Sequence, residues 1–264
     1  MLRFPVMLAR SARDGRRAVL AAIARREWLL QLLALGAAAC RRRDDRAASR
    51  ASTLIMAVDS IDVIRPDFTD ADFLAFSPLL ERNERGDFVP RLAERWEHSD
   101  DSREWTYHLR RDVRWHDGVP VTAHDVKFTL DLVTQQGYRF DSVTVLDDVT
   151  VKVRMPPGYR NLGSWQDDIV CYPKHLLEGL DRKAFESWDF WAHPVGDGPF
   201  RFVRYQPGTM IEFEVNPDYY RGKPKIERVV LKFVGPAERG AGVTELLSGN
   251  VDVVAGSPSQ VPRV

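Results

Sequence analysis

Apolar positions along the chain fall into two periods, and each predicts its own kind of element. From Thr53 to Val58 the run Thr-Leu-Ile-Met-Ala-Val is short and continuous, the pattern of a buried strand. Asp59, Ser60, Ile61 and Asp62 follow it as a polar break. Ala71 to Phe76 reads as a short helix, which Pro78 should end because proline has no N–H to continue the ladder. Trp105, Tyr107 and Leu109 alternate with Thr106, His108 and Arg110, which predicts a half-buried strand. Asp117-Gly118 is a turn signal ahead of Val119-Pro120-Val121.

The period then changes. Thr122 and Asp125 fit a capping box, and Val126, Leu130 and Val133 follow at spacings that put them on one helical face. Val143 and Val145, the pair Asp147-Asp148, and then Val149, Val151, Val153 and Met155 predict a hairpin. A second hairpin is expected from Phe200–Tyr205 and Met210–Val215 around Gln206-Pro207-Gly208-Thr209. Val229, Leu231 and Phe233 alternate as a further strand. A helix ending near Leu247 should stop at Gly249, with Val251 to Val254 starting one more strand. The sum is a mixed α/β chain, without internal repeats or a Gly-rich phosphate loop.

Ahead of this lies a stretch of different character. Arg16-Arg17 and Arg25-Arg26 precede Trp28 to Ala39, an apolar run interrupted only by Gln31. Twelve helical residues span roughly 18 Å, short of a hydrocarbon core of about 30 Å, so the run reads as an export signal rather than a membrane span. It closes on Cys40 after three alanines, a pattern that resembles a bacterial lipobox with Cys40 as the lipid anchor. The other reading is a plain signal peptide cut within the alanines. Arg25-Arg26 also hints at twin-arginine export, and Met7 offers a second start. Residues 1–40 are thus expected as a leader and 41–52, polar and small, as a flexible tether.

Composition changes the picture in one respect. The 264 residues carry 38 basic and 38 acidic side chains, but residues 1–50 hold 12 Arg against 4 acidic residues, a net of +8. Residues 51–264 therefore carry −8, which argues against nucleic acid as a partner. Cys40 and Cys171 are too few for a disulfide framework or a Cys-rich zinc site, and no cofactor is expected.

Several segments carry a family resemblance. They are Phe88-Val89-Pro90-Arg91-Leu92-Ala93-Glu94-Arg95-Trp96; Tyr107 to Gly118 running into Pro120–Val126; Pro173-Lys174-His175-Leu176-Leu177; Gly196-Asp197-Gly198-Pro199-Phe200; Asn216-Pro217-Asp218-Tyr219-Tyr220 with Gly222-Lys223-Pro224; and Leu247–Val253. In order and spacing they resemble the extracytoplasmic solute-binding proteins of ABC importers, family 5, the peptide- and nickel-binding group. The resemblance implies a periplasmic-binding-protein-like type II fold of α/β lobes, with residues 53–264 as the first lobe and its inserted subdomain. It also implies that the second lobe is missing, so that the chain is a truncated copy. It further implies a monomer that captures a peptide or another small solute outside the cytoplasm and delivers it to a membrane permease. Such receptors work by population shift, because ligand touches both lobes only when they are closed.

Each motif also has a scaffold reading. Trp115-His116-Asp117-Gly118 is a turn feeding a capped helix, Asn216-Pro217 ends a strand, and Gly196 and Gly198 allow backbone approach that a Cβ would block. Trp96, Trp105 and Trp115 are expected in core and interlobe packing. The ligand residues implied by the resemblance are Asp59, Ser60 and Asp62, in the loop bordering the cleft. Asp59 and Asp62 could meet a cationic group, or be solvated or cap a turn.

Catalysis finds little support. His98, His108, His116, His124, His175 and His193 are scattered; His116 and Asp117 are adjacent and point apart. Ser164 lacks a Gly-x-Ser-x-Gly elbow, and Cys171 sits in an apolar context typical of inert packing. An exported signalling or chaperone-like module of the same fold, and an exported hydrolase, remain as alternatives.

Overall fold

Residues 6–9, 52–58, 70–134, 138–158, 165–235 and 241–256 are described by the computed structural model. In chain order the first elements are β1 (Val6–Ala9), β2 (Thr53–Val58), α1 (Asp70–Ala75), β3 (Leu80–Arg82), β4 (Phe88–Pro90), β5 (Ala93–His98) and β6 (Glu104–Leu109). Next come α2 (Ala123–Val133), β7 (Ser142–Asp147), β8 (Thr150–Arg154), α3 (Trp165–Asp168) and α4 (Lys174–Leu177). Two 3-10 segments, Arg182–Ser187 and Asp189–Ala192, follow. The remainder is β9 (Phe200–Gln206), β10 (Met210–Val215), β11 (Arg228–Phe233), α5 (Ala241–Ser248) and β12 (Val253–Gly256). Two compact units result: a sheet unit from residues 1–64, 200–217 and 222–264, and an inserted unit from residues 65–199 and 218–221.

The sheet unit holds six strands in the order β1-β12-β2-β11-β10-β9. The β9–β10 hairpin forms where the pattern places it, with Gly208 at φ +64°, a backbone that glycine adopts without strain. β2 runs parallel to both neighbours, pairing Thr53–Val58 with Arg228–Phe233 on one side and Met56-Ala57 with Val253-Val254 on the other. Leu54, Met56, Ile211, Phe213, Val229 and Leu231 are buried. On the other face of β2, Ile55 and Ala57 pack with Leu246, Val251 and Val254, so α5 closes that side. The helix stops at Gly249, whose φ of +78° and N–H to the Leu246 carbonyl (3.1 Å) turn the chain. β12 starts two residues later than the apolar pattern suggests. Asp252 is the reason: its carboxylate accepts the Ile55 N–H at 2.9 Å and its own N–H donates to the Ile55 carbonyl at 2.8 Å, a side-chain pairing that precedes the regular ladder. Val6–Ala9, within the expected leader, lies antiparallel to Val253–Gly256.

The inserted unit is built on an antiparallel sheet, β5-β6-β8-β7. In β6 the alternation holds residue by residue: Trp105, Tyr107 and Leu109 are buried and the residues between them are not. Helix α2 packs on β7 and β8 and is more deeply set than one apolar face requires, since Phe128, Thr129 and Leu132 are buried along with Val126, Leu130 and Val133. The Thr122–Asp125 box is present. Asp125 Oδ2 accepts the Thr122 N–H at 2.8 Å, and Oδ1 accepts the Lys174 N–H at 2.9 Å, so one carboxylate caps α2 and fixes the start of α4. Trp105 and Trp115 are core residues, whereas Trp96 on the edge strand β5 is only half-buried. Cys171 is buried, and desolvation holds its thiol well above the ordinary range, which fits inert packing.

Candidate functional site

The sheet unit offers a site through its topology. β11 and β12 flank β2, all three run the same way, and the connection between the outer two passes through α5 and across β2. Open parallel sheets bind ligands beyond the carboxyl ends of their strands, where neighbouring connections diverge. Here those ends are Val58, Phe233 and Gly256. The Val234 N–H donates to the Val58 carbonyl at 3.1 Å, so pairing runs right to the end of β2. Under α5, Lys232 of β11 and Glu245 meet at 2.8 Å, and that hydrogen bond holds the Glu245 carboxyl below its usual range.

Asp59, Ser60 and Asp62 leave directly from Val58 in the sequence but lie outside the described residues, as do Cys40 and Ser164.

A second polar centre, which no spacing in the sequence indicated, lies inside the inserted unit. Buried Glu81 accepts Arg91 Nη1 at 3.0 Å and Arg221 Nη1 at 2.8 Å. The Arg91 guanidinium lies 5.6 Å from the Tyr219 ring centre, and that of Arg110 lies 5.5 Å from Tyr220. Buried charges paired and stacked in this way lock one arrangement of their segments, since either partner left alone would be stranded in a low-dielectric interior.

Beside it runs a strap, Gly196-Asp197-Gly198-Pro199, held against the end of α1. The Gly198 N–H donates to the Ala75 carbonyl at 2.8 Å, and the Ser77 N–H donates to Asp197 Oδ1 at 2.8 Å. His116 clasps the strap from the turn. Its N–H donates to the Gly196 carbonyl at 2.6 Å, its Nδ1 accepts the Gly196 N–H at 3.2 Å, and its Nε2 lies 3.0 Å from the Gly198 carbonyl. With Nδ1 accepting, the proton belongs on Nε2, which donates to Gly198. A Cβ on Gly196 would stand 1.8 Å from the Ala75 oxygen, and one on Gly198 would stand 2.6 Å from the Ala75 carbonyl carbon, so the close approach expected of both glycines is real. Burial pushes the Asp197 carboxyl up to about 7, with the Ser77 N–H and Arg91 acting against it.

Four of the other histidines serve local contacts: His175 bonds Asp117 at 2.7 Å, His98 packs tilted on Trp105 with centres 4.6 Å apart, His108 sits 3.6 Å from Glu97, and His124 lies 3.8 Å from Asp148. Among the described residues no three His, Cys, Asp or Glu side chains gather as a metal site. The apolar gap beneath Leu79, Val126, Leu130, Trp165 and Cys171 has no room for a water molecule.

The sequence profile of the bacterial extracellular solute-binding proteins, family 5 Middle, matches residues 87–264. The chain belongs to this family. The oligopeptide-binding protein AppA of Bacillus subtilis is 27% identical over 198 residues, covering 70% of this chain and 36% of its own length. Among solved structures, NikZ of Campylobacter jejuni with Ni(L-His) superposes with a TM-score of 0.67 at 30% identity, over 76% of this chain and 42% of that one. MoaA of A. tumefacien R10 with mannopinic acid gives a TM-score of 0.64 at 28% identity, over 77% and 45%. The chain spans about a third of the length of the curated relatives it matches. The fold is that of the type II family 5 binding proteins over roughly three quarters of the chain. The strap, Arg91, Arg221, β11 and β12 fall within the profile match, whereas β2, Glu81 and the candidate residues Asp59, Ser60 and Asp62 precede it.

Proposed function

We propose that this chain acts outside the cytoplasm as the solute-capturing component of an ABC importer, taking a peptide or a similarly small solute and handing it to a membrane permease. The family match over residues 87–264 carries this reading. It is supported by the parallel β11-β2-β12 set, whose carboxyl ends lie where such sheets place ligands. Asp59, Ser60 and Asp62 are the proposed contacts, with the two carboxylates suited to a cationic group such as a peptide amino terminus. Cys40 is the proposed lipid anchor and residues 41–52 its tether. The receptor is proposed to be a monomer.

Solved relatives have been captured with ligands as different as a nickel–histidine complex and mannopinic acid. The experiment is therefore a thermal-shift screen of the purified chain against mixed-sequence peptides, Ni(L-His) and mannopinic acid. A ligand at 100 times its dissociation constant adds about 2.7 kcal/mol, a shift of several degrees. Stabilisation by one ligand class, lost on Asp59→Asn with Asp62→Asn, is the expected result. No stabilisation by any of the three classes would refute the proposal.

A further inference from the structure

Without β1, the six-stranded sheet would end on β9 at one side and on β12 at the other, and these two strands are built differently. β9 carries Arg201 and Arg204. Charged side chains along an edge discourage pairing with a further strand. β12 is Val253-Val254-Ala255-Gly256, a run with neither charge nor proline. Val253 and Val254 are buried, and Val254 packs with Leu246 of α5 and Ala57 of β2. Held by β2 alone, such a strand would present its outward N–H and C=O groups as an open template.

That template is filled from within the chain. Val6, Met7, Leu8 and Ala9 run antiparallel to β12, opposite Gly256, Ala255, Val254 and Val253, without a register shift. This segment is uncharged too. It is bounded by Pro5, which has no N–H to give to a ladder, and by Arg10. Residues 10–52 make a long link back to β2, but closure entropy grows only with the logarithm of loop length. An export leader has no need of a strand at this place.

We propose that Val6–Ala9 is a built-in edge cap, a detachable strand that occupies the outer side of β12 and steadies the packing of β12 on α5.

The cap is detachable because β12 is its one neighbour in the sheet, so few bonds hold it. Under the lipid-anchor reading of Cys40, processing would remove the cap with residues 1–39 and open the edge of β12 at that step. The cap itself does not rest on that reading, nor on the solute-binding role.

Amide hydrogen exchange of the full chain, corrected for intrinsic rates, is the test. N–H groups along a strand point alternately to its two sides. Held by β2 alone, β12 would protect every second amide from Val253 to Gly256, whereas between β2 and β1 it protects consecutive ones. Consecutive protection is expected, and alternate protection overturns the cap. Protection that rises with protein concentration would assign the outer side of β12 to a second copy of the chain and overturn it as well.

Proline then checks the register. Only one of Met7 and Leu8 points its N–H at β12, so only one of Met7→Pro and Leu8→Pro removes a ladder donor. The other places proline where the N–H faces outward, which an edge strand accepts. One variant should speed exchange of the outward β12 amides roughly fivefold to tenfold, the worth of one net hydrogen bond, and the other should stay close to wild type. Wild-type rates in both variants, or equal acceleration in both, overturn the pairing. Should either variant fail to fold, the wild-type pattern of consecutive or alternate protection still decides.

Discussion

Replacing Gly196 with alanine tests the tightest contact in the inserted unit. The new Cβ would sit 1.8 Å from the Ala75 oxygen and 2.6 Å from its carbonyl carbon. Both are backbone atoms, so no side-chain rotation relieves the overlap, and the strap must move by an ångström or more. Four hydrogen bonds depend on its present position: His116 N–H to Gly196, Gly196 N–H to His116, Gly198 N–H to Ala75, and His116 Nε2 to Gly198. At about 1 kcal/mol net each, their loss comes to about 4 kcal/mol. Reduced freedom of the unfolded chain returns about 0.4–1 kcal/mol, leaving a net destabilisation of about 3 kcal/mol. Six of the seven tryptophans lie between residues 65 and 199, so urea unfolding followed by tryptophan fluorescence reports this unit. Gly179→Ala is the control, since its Cβ would meet nothing within 4 Å. The control should stay within about 0.5 kcal/mol of wild type. A Gly196→Ala protein within about 1 kcal/mol of wild type would refute the steric account of the strap.

Two further outcomes follow from buried groups. Glu81→Ala strands Arg91 without its carboxylate and should cost about 3–5 kcal/mol, while a paired replacement, Glu81→Met with Arg91→Met, should recover a large part of that in the same assay. If the single change is as mild as the pair, the network is not holding Arg91. Cys171 should react with a thiol reagent only when the protein is unfolded, because its thiol is both buried and pushed upward by desolvation. Labelling in native buffer at the rate of a free cysteine would contradict that.

How much of this was visible in the sequence depended on the reach of each interaction. The β7–β8 and β9–β10 hairpins, the Thr122–Asp125 box and the stop at Gly249 involve partners a few residues apart, and all formed where the pattern put them. The close approach at Gly196 and Gly198 could be suspected from a pair of glycines, but its partner, Ala75, lies some 120 residues away. The start of β12 was misplaced because Asp252 pairs through its side chain with Ile55, 197 positions earlier, before the regular ladder begins.

The candidate site divided along the same line. Asp59, Ser60 and Asp62 were named because they follow the Thr53–Val58 strand in the sequence, and they lie outside the described residues. That β2 would be flanked on both sides by parallel strands is settled by pairing between residues nearly 200 apart, which periodicity does not encode. The charged network is the clearest case. Arg91 next to Leu92 and Ala93, and Asp197 between two glycines, are polar residues in apolar or cramped settings, a hint of burial and nothing more. Local patterning decided the elements because helices, turns and hairpins close over short loops at small entropic cost. Only the tertiary structure could bring Glu81 to Arg221, or Asp197 to Ser77, because burying a charge is tolerable only where distant segments supply its partners together.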